Sequence, residues 1–266
     1  MIVHTLLFLV LMLSLPNTQA DTVHICDDAA EFAPYIYRSR IEGQDNSQLM
    51  GATKEFLDEI FKTIGIDYKL NLLPWKRCLS EVENFGINKK YEVFSNGSYS
   101  KERSKKYYIT TAIYRTHEGL WYSQNKFPKG LPVNTAKDLN QYSLCGVLGY
   151  NYESLADLGV TSEISTGAHT VKSALMLVAK DRCDIFIGGL EDTYGGDAIG
   201  TYKIPEYIVG VPFPEAKRPT FHLFISKSSP RAYELHTKLN QAILLLQHTG
   251  ISQKIYKKYL PDGDGL

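Results

Sequence analysis

Residues 98–106 include side chains that can bind an anion. Ser98 and Ser100 carry hydroxyl groups, and Arg103 carries a guanidinium. A guanidinium can hold a carboxylate with two parallel hydrogen bonds, whereas a lysine offers only a point charge. A plainer interpretation also fits, because the run Lys101–Lys106 contains five charged residues, as a solvated face does, and serines are common in turns. These residues alone leave both interpretations open.

A second group of residues could form the wall of a binding cleft. Trp75 follows Pro74, which can open a helix, and its indole would give a large, rigid stacking surface. Phe32 could serve in the same way, although both rings could equally well pack in a core. Arg77 lies two residues after Trp75. If its side chain points into the same cleft, the ligand should carry a second anionic or polar group.

The sequence lacks the common signatures of catalytic and metal sites. It contains no H-E-x-x-H, Walker A, G-x-G-x-x-G or G-x-S-x-G motif, and its seven histidines are scattered. The 29 basic residues balance 29 acidic residues without a basic run, which argues against a nucleic-acid-binding protein. We therefore expect no metal, no cofactor and no nucleic-acid partner.

The N-terminus predicts export. Residues 6–15 form a continuous apolar run, and small side chains at Thr18 and Ala20 precede a cleavage point before Asp21. This pattern indicates a signal peptide over residues 1–20, since a membrane span needs about 20 apolar residues. The first residue after the cleavage point is Asp21 and not a cysteine, so we expect a periplasmic protein without a lipid anchor.

Four cysteines remain for the exported chain. An even number of cysteines in an exported protein favours disulfides over free thiols. Their spacing alone leaves all three possible pairings open. The four are Cys26, Cys78, Cys145 and Cys183.

The hydrophobic pattern of the first half predicts alternating strands and helices. Gly65 is placed to end the first helix, and a turn over residues 95–98 should end the third strand. The β-α-β-α-β order implies a mostly parallel sheet covered by helices. The expected elements are strands at 23–26, 67–73 and 90–94, an amphipathic helix within 48–64 and a helix that Pro74 begins.

The second half repeats this order. A strand at 142–148, a helix at Val171–Ala179 and a strand at 182–187 are predicted, and residues 182–189 match the residue pattern of 90–97. Two similar α/β lobes are therefore expected. Ligands of such sheets bind beyond the carboxyl ends of the strands, so residues 95–98 and 149–152 should line a cleft. A strand at 221–225 and helices at 231–247 and Ile251–Tyr259 complete the chain.

At these strand ends the chain resembles the type II periplasmic solute-binding proteins that serve amino-acid ABC transporters, the bacterial extracellular solute-binding family 3. The resemblance implies an α/β fold of two Rossmann-like lobes joined by a two-strand hinge, which closes over its ligand like a Venus flytrap. It implies lobe 1 at 21–115 with 220–266, lobe 2 at 116–219, and hinge strands at 114–116 and 218–220. The stretches that carry it are Phe32-Ala33-Pro34-Tyr35, Gly51, Pro74-Trp75, Tyr91-Glu92-Val93-Phe94, Ser98-x-Ser100-Lys101-Glu102-Arg103 and residues 249–259.

The resemblance also assigns binding roles in lobe 1. Arg103 corresponds to the arginine that grips the α-carboxylate of the ligand, with Ser98 and Ser100 as further donors. Phe32 and Trp75 match positions that form an aromatic or apolar wall over the ligand.

In lobe 2 the resemblance is less complete. Tyr150 and Asn151 lie where the family presents backbone amides at a helix start, and both are expected contacts. The acid that pairs with the α-ammonium of the ligand falls at Gly189, which has no side chain. Either Glu191 takes over this role, or the ligand is not a standard α-amino acid.

The two lobes also suggest the pairing of the cysteines. Cys26 and Cys78 fall in lobe 1, and Cys145 and Cys183 fall on strands of lobe 2 that should be neighbours. A bridge across the lobes would hinder closure. We therefore expect the pairs Cys26–Cys78 and Cys145–Cys183.

The predicted function is binding rather than catalysis. We expect a monomeric protein that captures a small carboxylate-bearing solute, an amino acid or a related compound, for an ABC permease. One alternative is a dehydratase-like enzyme on the same fold, with Glu191 as general acid and Arg103 and Arg77 gripping two carboxylates. Another is a ligand-sensing module for a membrane receptor.

Overall fold

The structure, a computed structural model, describes residues 22–40 and 48–260. The predicted signal peptide lies outside the described residues. In chain order the strands are β1 (Val23–Asp28), β2 (Tyr37–Arg38), β3 (Leu49–Met50), β4 (Tyr68–Leu73), β5 (Val93–Ser98), β6 (Tyr107–Ile109), β7 (Tyr114–Arg115), β8 (Glu118–Ser123), β9 (Leu144–Val147), β10 (Ile164–Ala168), β11 (Ile185–Gly189), β12 (Ile208–Pro212) and β13 (Thr220–Ser226). The helices are α1 (Ala52–Ile64), α2 (Trp75–Glu83), α3 (Phe85–Asn88), α4 (Lys101–Lys106), α5 (Glu153–Asp157), α6 (Val171–Ala179), α7 (Leu190–Ala198), α8 (Ala232–His248) and α9 (Ile251–Tyr259), with a 3-10 helix at Ala136–Gln141.

The strands build two mixed sheets and a small β2-β3 ribbon. The first sheet has the order β4-β1-β5-β13-β6, with β7 also paired to β13, and the second has the order β10-β9-β11-β8-β12. The β-α-β segments give the parallel pairs that the sequence predicts. Antiparallel pairs are added by β8 and β13. The chain enters the second sheet with β8 and returns to the first sheet with β13.

Each sheet has its own hydrophobic core. Helices α1, α8 and α9 pack on the first sheet, and α6 packs on the second. The chain crosses between the sheets after β7 and again before β13. The crossings run side by side, since the backbone N–H of Thr116 donates to the Pro219 carbonyl at 3.2 Å. We propose that the lobe boundaries fall at these crossings, at 115/116 and 219/220.

Each lobe contains one disulfide, and neither disulfide crosses between the lobes. Cys26 on β1 is bonded to Cys78 on α2, and Cys145 on β9 is bonded to Cys183 just before β11. These are the two pairs expected from the resemblance. Neither links the two sheets, so they brace each lobe without tying one lobe to the other.

The helix predicted within residues 48–64 forms as α1, with its apolar residues buried. It begins only at Ala52, because residues 49 and 50 pair as β3. Gly65 ends it in the left-handed conformation, with φ of 65°, as expected of a glycine at a helix C-terminus. Pro74 immediately precedes α2 rather than forming its first residue.

Strand β5 extends beyond its predicted end. The expected turn at residues 95–98 continues the strand. Asn96 and Ser95 are buried there because the Ser95 hydroxyl and the Asn96 amide both donate to Asp27, at 2.5 and 2.8 Å. Hydrogen bonding of this kind removes most of the cost of burying polar side chains. Residues typical of turns can therefore lie in a central strand.

Other elements were not predicted at all. Strands β8, β10 and β12 and helix α7 follow no strong hydrophobic period, and β10 reads Ile-Ser-Thr-Gly-Ala. Their neighbours in the sheet provide the pairing that stabilises them. Among residues 22–40 and 48–260, no helix is both long enough and apolar enough to cross a bilayer.

Candidate functional site

A cavity of about 620 Å³ lies between the two sheets. It is lined from the first sheet by Asp28 at the end of β1 and by Ser98 at the end of β5. The second sheet contributes Gly189 at the end of β11. These are carboxyl ends of strands, where open α/β sheets bind their ligands.

Arg103 lies on α4 and reaches into this cavity. Its Nη1 donates to the carbonyl of Ser98 at 2.7 Å and contacts the Ser98 hydroxyl at 3.2 Å. Its Nη2 donates to the Gly149 carbonyl at 3.1 Å. The Ser100 hydroxyl caps α4 by accepting the backbone N–H of Arg103. Burial lowers the pKa of Arg103 to about 10, so the guanidinium stays charged at neutral pH.

Trp75 forms one wall of the cavity beside this guanidinium. The Arg103 guanidinium carbon lies 5.8 Å from the centre of the indole ring, and the Trp75 Nε1 donates to the Gly149 carbonyl at 3.1 Å. Gly149 has φ of 84°, and a β-carbon there would lie 3.0 Å from the Trp75 ring. Only a glycine at position 149 can adopt this conformation without strain, and the conformation places its carbonyl within reach of both Arg103 Nη2 and Trp75 Nε1.

Phe32 and Tyr150 supply further aromatic surface. Phe32 is 8% exposed and stacks on Tyr35 with ring centres 5.4 Å apart. Tyr150 packs against the cores of both sheets. The cavity therefore has aromatic walls on both sides.

The two lobes are in contact across the cavity. The Asn151 amide donates to the Tyr99 carbonyl at 2.6 Å. The Glu153 carboxylate accepts the backbone N–H groups of Lys101 and Glu102, at 2.9 and 3.4 Å. The arrangement is therefore a closed one, in which lobe 2 caps the start of α4 in lobe 1.

Two predicted site residues lie away from the cavity. Arg77 has a side chain that is 60% exposed, and its Nε contacts Glu81 at 3.4 Å. Glu191 accepts the backbone N–H of His117 at 2.8 Å and contacts its Nδ1 at 2.6 Å. Neither lines the cavity. The geometry thus brings together Arg103, Ser98, Ser100, Trp75, Phe32, Tyr150 and Asn151.

Among the carboxyl groups that line the cavity, four have raised pKa values and were not predicted from the sequence. Asp27 and Asp28 come from β1, Glu118 begins β8, and Asp192 lies in the first turn of α7. The run Asp27-Asp28 directly after an apolar strand was the available signal. Asp192 and Glu191 both follow Gly189 closely, and nothing in the sequence favoured Asp192 over Glu191, which was chosen.

Burial changes the acidity of all four groups. It raises the pKa of Asp27 to about 7 and that of Asp28 to about 6. Burial and the nearby Glu191 raise the pKa of Glu118 to about 7. The pKa of Asp192 rises to about 8, first through burial and then through repulsion by Glu118 and Glu191. A cation in the cavity would favour the ionised forms and lower these pKa values again.

Metal binding finds no support in the described part of the chain. Among residues 22–40 and 48–260, no group of three or more histidine, cysteine or acidic side chains is placed to hold an ion.

Comparison with known families identifies the chain. Residues 28–262 match the bacterial extracellular solute-binding proteins, family 3. The chain therefore belongs to this family. A comparison with curated proteins gave no match.

Solved structures share the fold. The arginine-, lysine-, histidine-binding protein ArtJ from Geobacillus stearothermophilus is 19% identical with a TM-score of 0.71, over 91% of this chain and 96% of that one. The amino acid ABC transporter substrate-binding protein AbpA from Streptococcus pneumoniae, bound to L-arginine, is 18% identical with a TM-score of 0.70, over 90% and 94%. A histidine kinase sensor domain with similarity to periplasmic binding proteins is 16% identical with a TM-score of 0.71, over 91% and 97%. The predicted type II periplasmic binding protein fold is confirmed.

Proposed function

We propose that this family 3 solute-binding protein captures a small carboxylate-bearing solute between its lobes. It acts as a periplasmic monomer and delivers the solute to an ABC permease in the membrane. The observation that carries the proposal is the partly buried, charged Arg103, which is held in the cavity by Ser98 and Gly149. A guanidinium in this position can exchange its carbonyl partners for a carboxylate, a stronger acceptor.

Binding without turnover is the function that the site supports. The enzymatic alternative needs Glu191 as a general acid, but this carboxylate is held by His117 outside the cavity. A sensing role would use the same capture step and would differ only in the membrane partner.

The proposal is tested by calorimetry on the purified mature protein. Amino acids and small carboxylic acids are titrated first. The affinity of the tightest binder is then measured for the Arg103→Lys variant, which keeps the positive charge but cannot form two parallel hydrogen bonds to a carboxylate. Arg77→Lys is the matched control. We expect Arg103→Lys to weaken binding about 10- to 100-fold, since a charged hydrogen bond contributes about 1.5–3 kcal/mol, and Arg77→Lys to leave it unchanged. Equal affinity of Arg103→Lys and the parent protein would overturn the role of Arg103.

A further inference from the structure

A second contact joins the lobes at a place distinct from residues 149–153. Helix α7 of lobe 2 packs there on the backbone of lobe 1 just after β1. A β-carbon added to Gly195 would lie 2.5 Å from the Ala33 carbonyl oxygen and 2.9 Å from Pro34 Cδ. A β-carbon does not fit at these distances, so α7 can lie this close to lobe 1 only because residue 195 has no side chain.

The backbone that α7 meets is held in place from within lobe 1. The carbonyls of Pro34 and Tyr35 accept the backbone N–H groups of Ala52 and Thr53 at the start of α1, each at 2.9 Å. Tyr35 is fully buried in the core of the first sheet. The Ala33 carbonyl therefore cannot move away from a larger residue at the contact, and separation of the lobes is what would relieve it.

A hydrogen bond reinforces the contact just beyond the end of α7. The Thr201 hydroxyl donates to Glu31 Oε2 at 3.2 Å. Lobe 1 fixes this carboxylate, because Arg40 Nη2 donates to the same oxygen at 2.7 Å and the backbone N–H of Arg38 donates to Oε1 at 3.2 Å. Residues 31–34 thus offer both a close backbone surface and a fixed acceptor to one segment of lobe 2.

The next residue of α7 is also a glycine, but it packs inside lobe 2. A β-carbon added to Gly196 would lie 2.5 Å from Tyr202 Cζ in the same lobe. Asp192, three residues before Gly195 and on the same side of the helix, lines the cavity. The face of α7 that meets lobe 1 therefore also presents a side chain to the cavity.

We propose that Gly195 is a positioning residue for closure, whose missing side chain lets α7 dock on residues 31–34 and complete the wall of the cavity. This inference rests on the proposed function, because closure serves the capture of a solute. It goes beyond that function in assigning closure to one helix, one docking surface and one residue that touches neither the cavity nor the solute.

Fluorescence quenching tests the docking without any ligand. The chain has two tryptophans. Trp121 is fully buried in the core of the second sheet, whereas Trp75 bonds across the lobes to the Gly149 carbonyl, so opening exposes only Trp75 to acrylamide. We expect Gly195→Ala to increase the quenching and Gly195→Leu to increase it further. Gly167→Ala is the matched control, because a β-carbon there meets nothing within 4 Å.

Calorimetry measures the effect on binding. The probe is whichever of L-arginine, L-glutamine and L-glutamate the parent protein binds most tightly. We expect Gly195→Ala to weaken the probe about 5- to 100-fold, as overpacking at a close contact does. Thr201→Val, which loses only the hydroxyl donor, should weaken it about two- to tenfold, and Gly167→Ala should leave it within about twofold of the parent.

Thermal unfolding without the probe separates closure from folding. Gly195→Ala should melt no lower than the parent protein, because alanine favours a helix over glycine and hinge opening relieves the contact. Gly196→Ala should melt lower, because its β-carbon presses on Tyr202 within lobe 2. A lower melting temperature for Gly195→Ala with unchanged quenching would show a role in folding alone and overturn the assignment.

The outcomes distinguish this inference from the proposed function. If Gly195→Ala binds the probe like the parent protein while Arg103→Lys weakens it, the proposed function stands and the role of Gly195 is wrong. If neither these amino acids nor any other small carboxylic acid binds, the proposed function fails. Quenching then decides the role of Gly195 by itself, since equal quenching of Gly195→Ala and the parent would overturn it and stronger quenching of the variant would support it.

Discussion

The affinity for an α-amino acid should rise steeply with pH if its ammonium group binds Asp192, because an ammonium group prefers the ionised carboxylate. Burial, together with repulsion by Glu118 and Glu191, raises the pKa of Asp192 to about 8. At pH 6 only about 1% of the molecules carry Asp192 ionised, against about half at pH 8. If binding requires the ionised form, Asp192 alone makes the dissociation constant about 50-fold larger at pH 6 than at pH 8.

The groups around Asp192 support this direction. Glu118 and Glu191 are its acidic neighbours, and both raise its pKa by repulsion. Glu118 has its own pKa raised to about 7, so its ionisation steepens the same trend. The other titratable groups that sense Asp192 are phenols, whose pKa values are raised by burial and which stay neutral in this range: Tyr35, Tyr114, Tyr150, Tyr152 and Tyr202.

Calorimetry between pH 5.5 and 8.5 at constant ionic strength measures this dependence. Repeating it in buffers of different ionisation enthalpy reports the protons that binding releases. We expect proton release near pH 7 and a weaker pH dependence in Asp192→Asn. An affinity for the amino acid that is flat or that falls with rising pH would refute the reasoning.

The same carboxyl groups set the stability of the protein without ligand. A carboxyl group whose pKa is higher in the folded than in the unfolded state holds its proton more tightly when folded. The free energy of unfolding therefore falls as pH rises from about 4 towards about 8. Urea midpoints should be lower at pH 8 than at pH 5.5, and Asp192→Asn should reduce the difference.

Two further predictions concern closure and the covalent framework. Glu153→Gln should weaken ligand binding about two- to fivefold, because it removes a charged acceptor that joins lobe 2 to the start of α4 in lobe 1. Small-angle scattering should then show a larger radius of gyration at subsaturating ligand, and an unchanged radius and affinity would contradict the role of this contact. Replacing Cys145 and Cys183 together by alanine should lower the free energy of unfolding by about 2–4 kcal/mol, given the 38-residue separation. Urea unfolding measures this, and a midpoint equal to that of the parent protein under oxidising conditions would contradict it.

The elements that the sequence predicts well are those with a strong local period. Helix α6 has the predicted bounds Val171–Ala179, and α9 has the predicted bounds Ile251–Tyr259. In α6, the apolar residues on one helical face identify the buried side without knowledge of the partner. The bounds of β5 were wrong, since the buried Asn96 is held by Asp27, which lies 69 residues away. No local pattern contains such a partner.

Some residues of the candidate site could likewise be predicted from the sequence and others could not. Arg103, Ser98 and Trp75 belong to short ordered stretches, and these stretches indicated the position of the cavity. Arg77 and Glu191 share residue types with the site but lie outside it. Arg77 contacts Glu81 one turn along the same helix, whereas Glu191 is held by His117, 74 residues away in the sequence.

Residue order alone thus determined the alternation of strands and helices, the two-lobed α/β class and the arginine-bearing segment, since each depends on local periodicity or on contiguous residues. The tertiary structure decided which acids face the ligand. Glu191 and Asp192 are adjacent in sequence, but successive residues of a helix point about 100° apart. Only the packing of α7 against the second sheet places Asp192 beside Gly189. The same packing directs Glu191 towards His117.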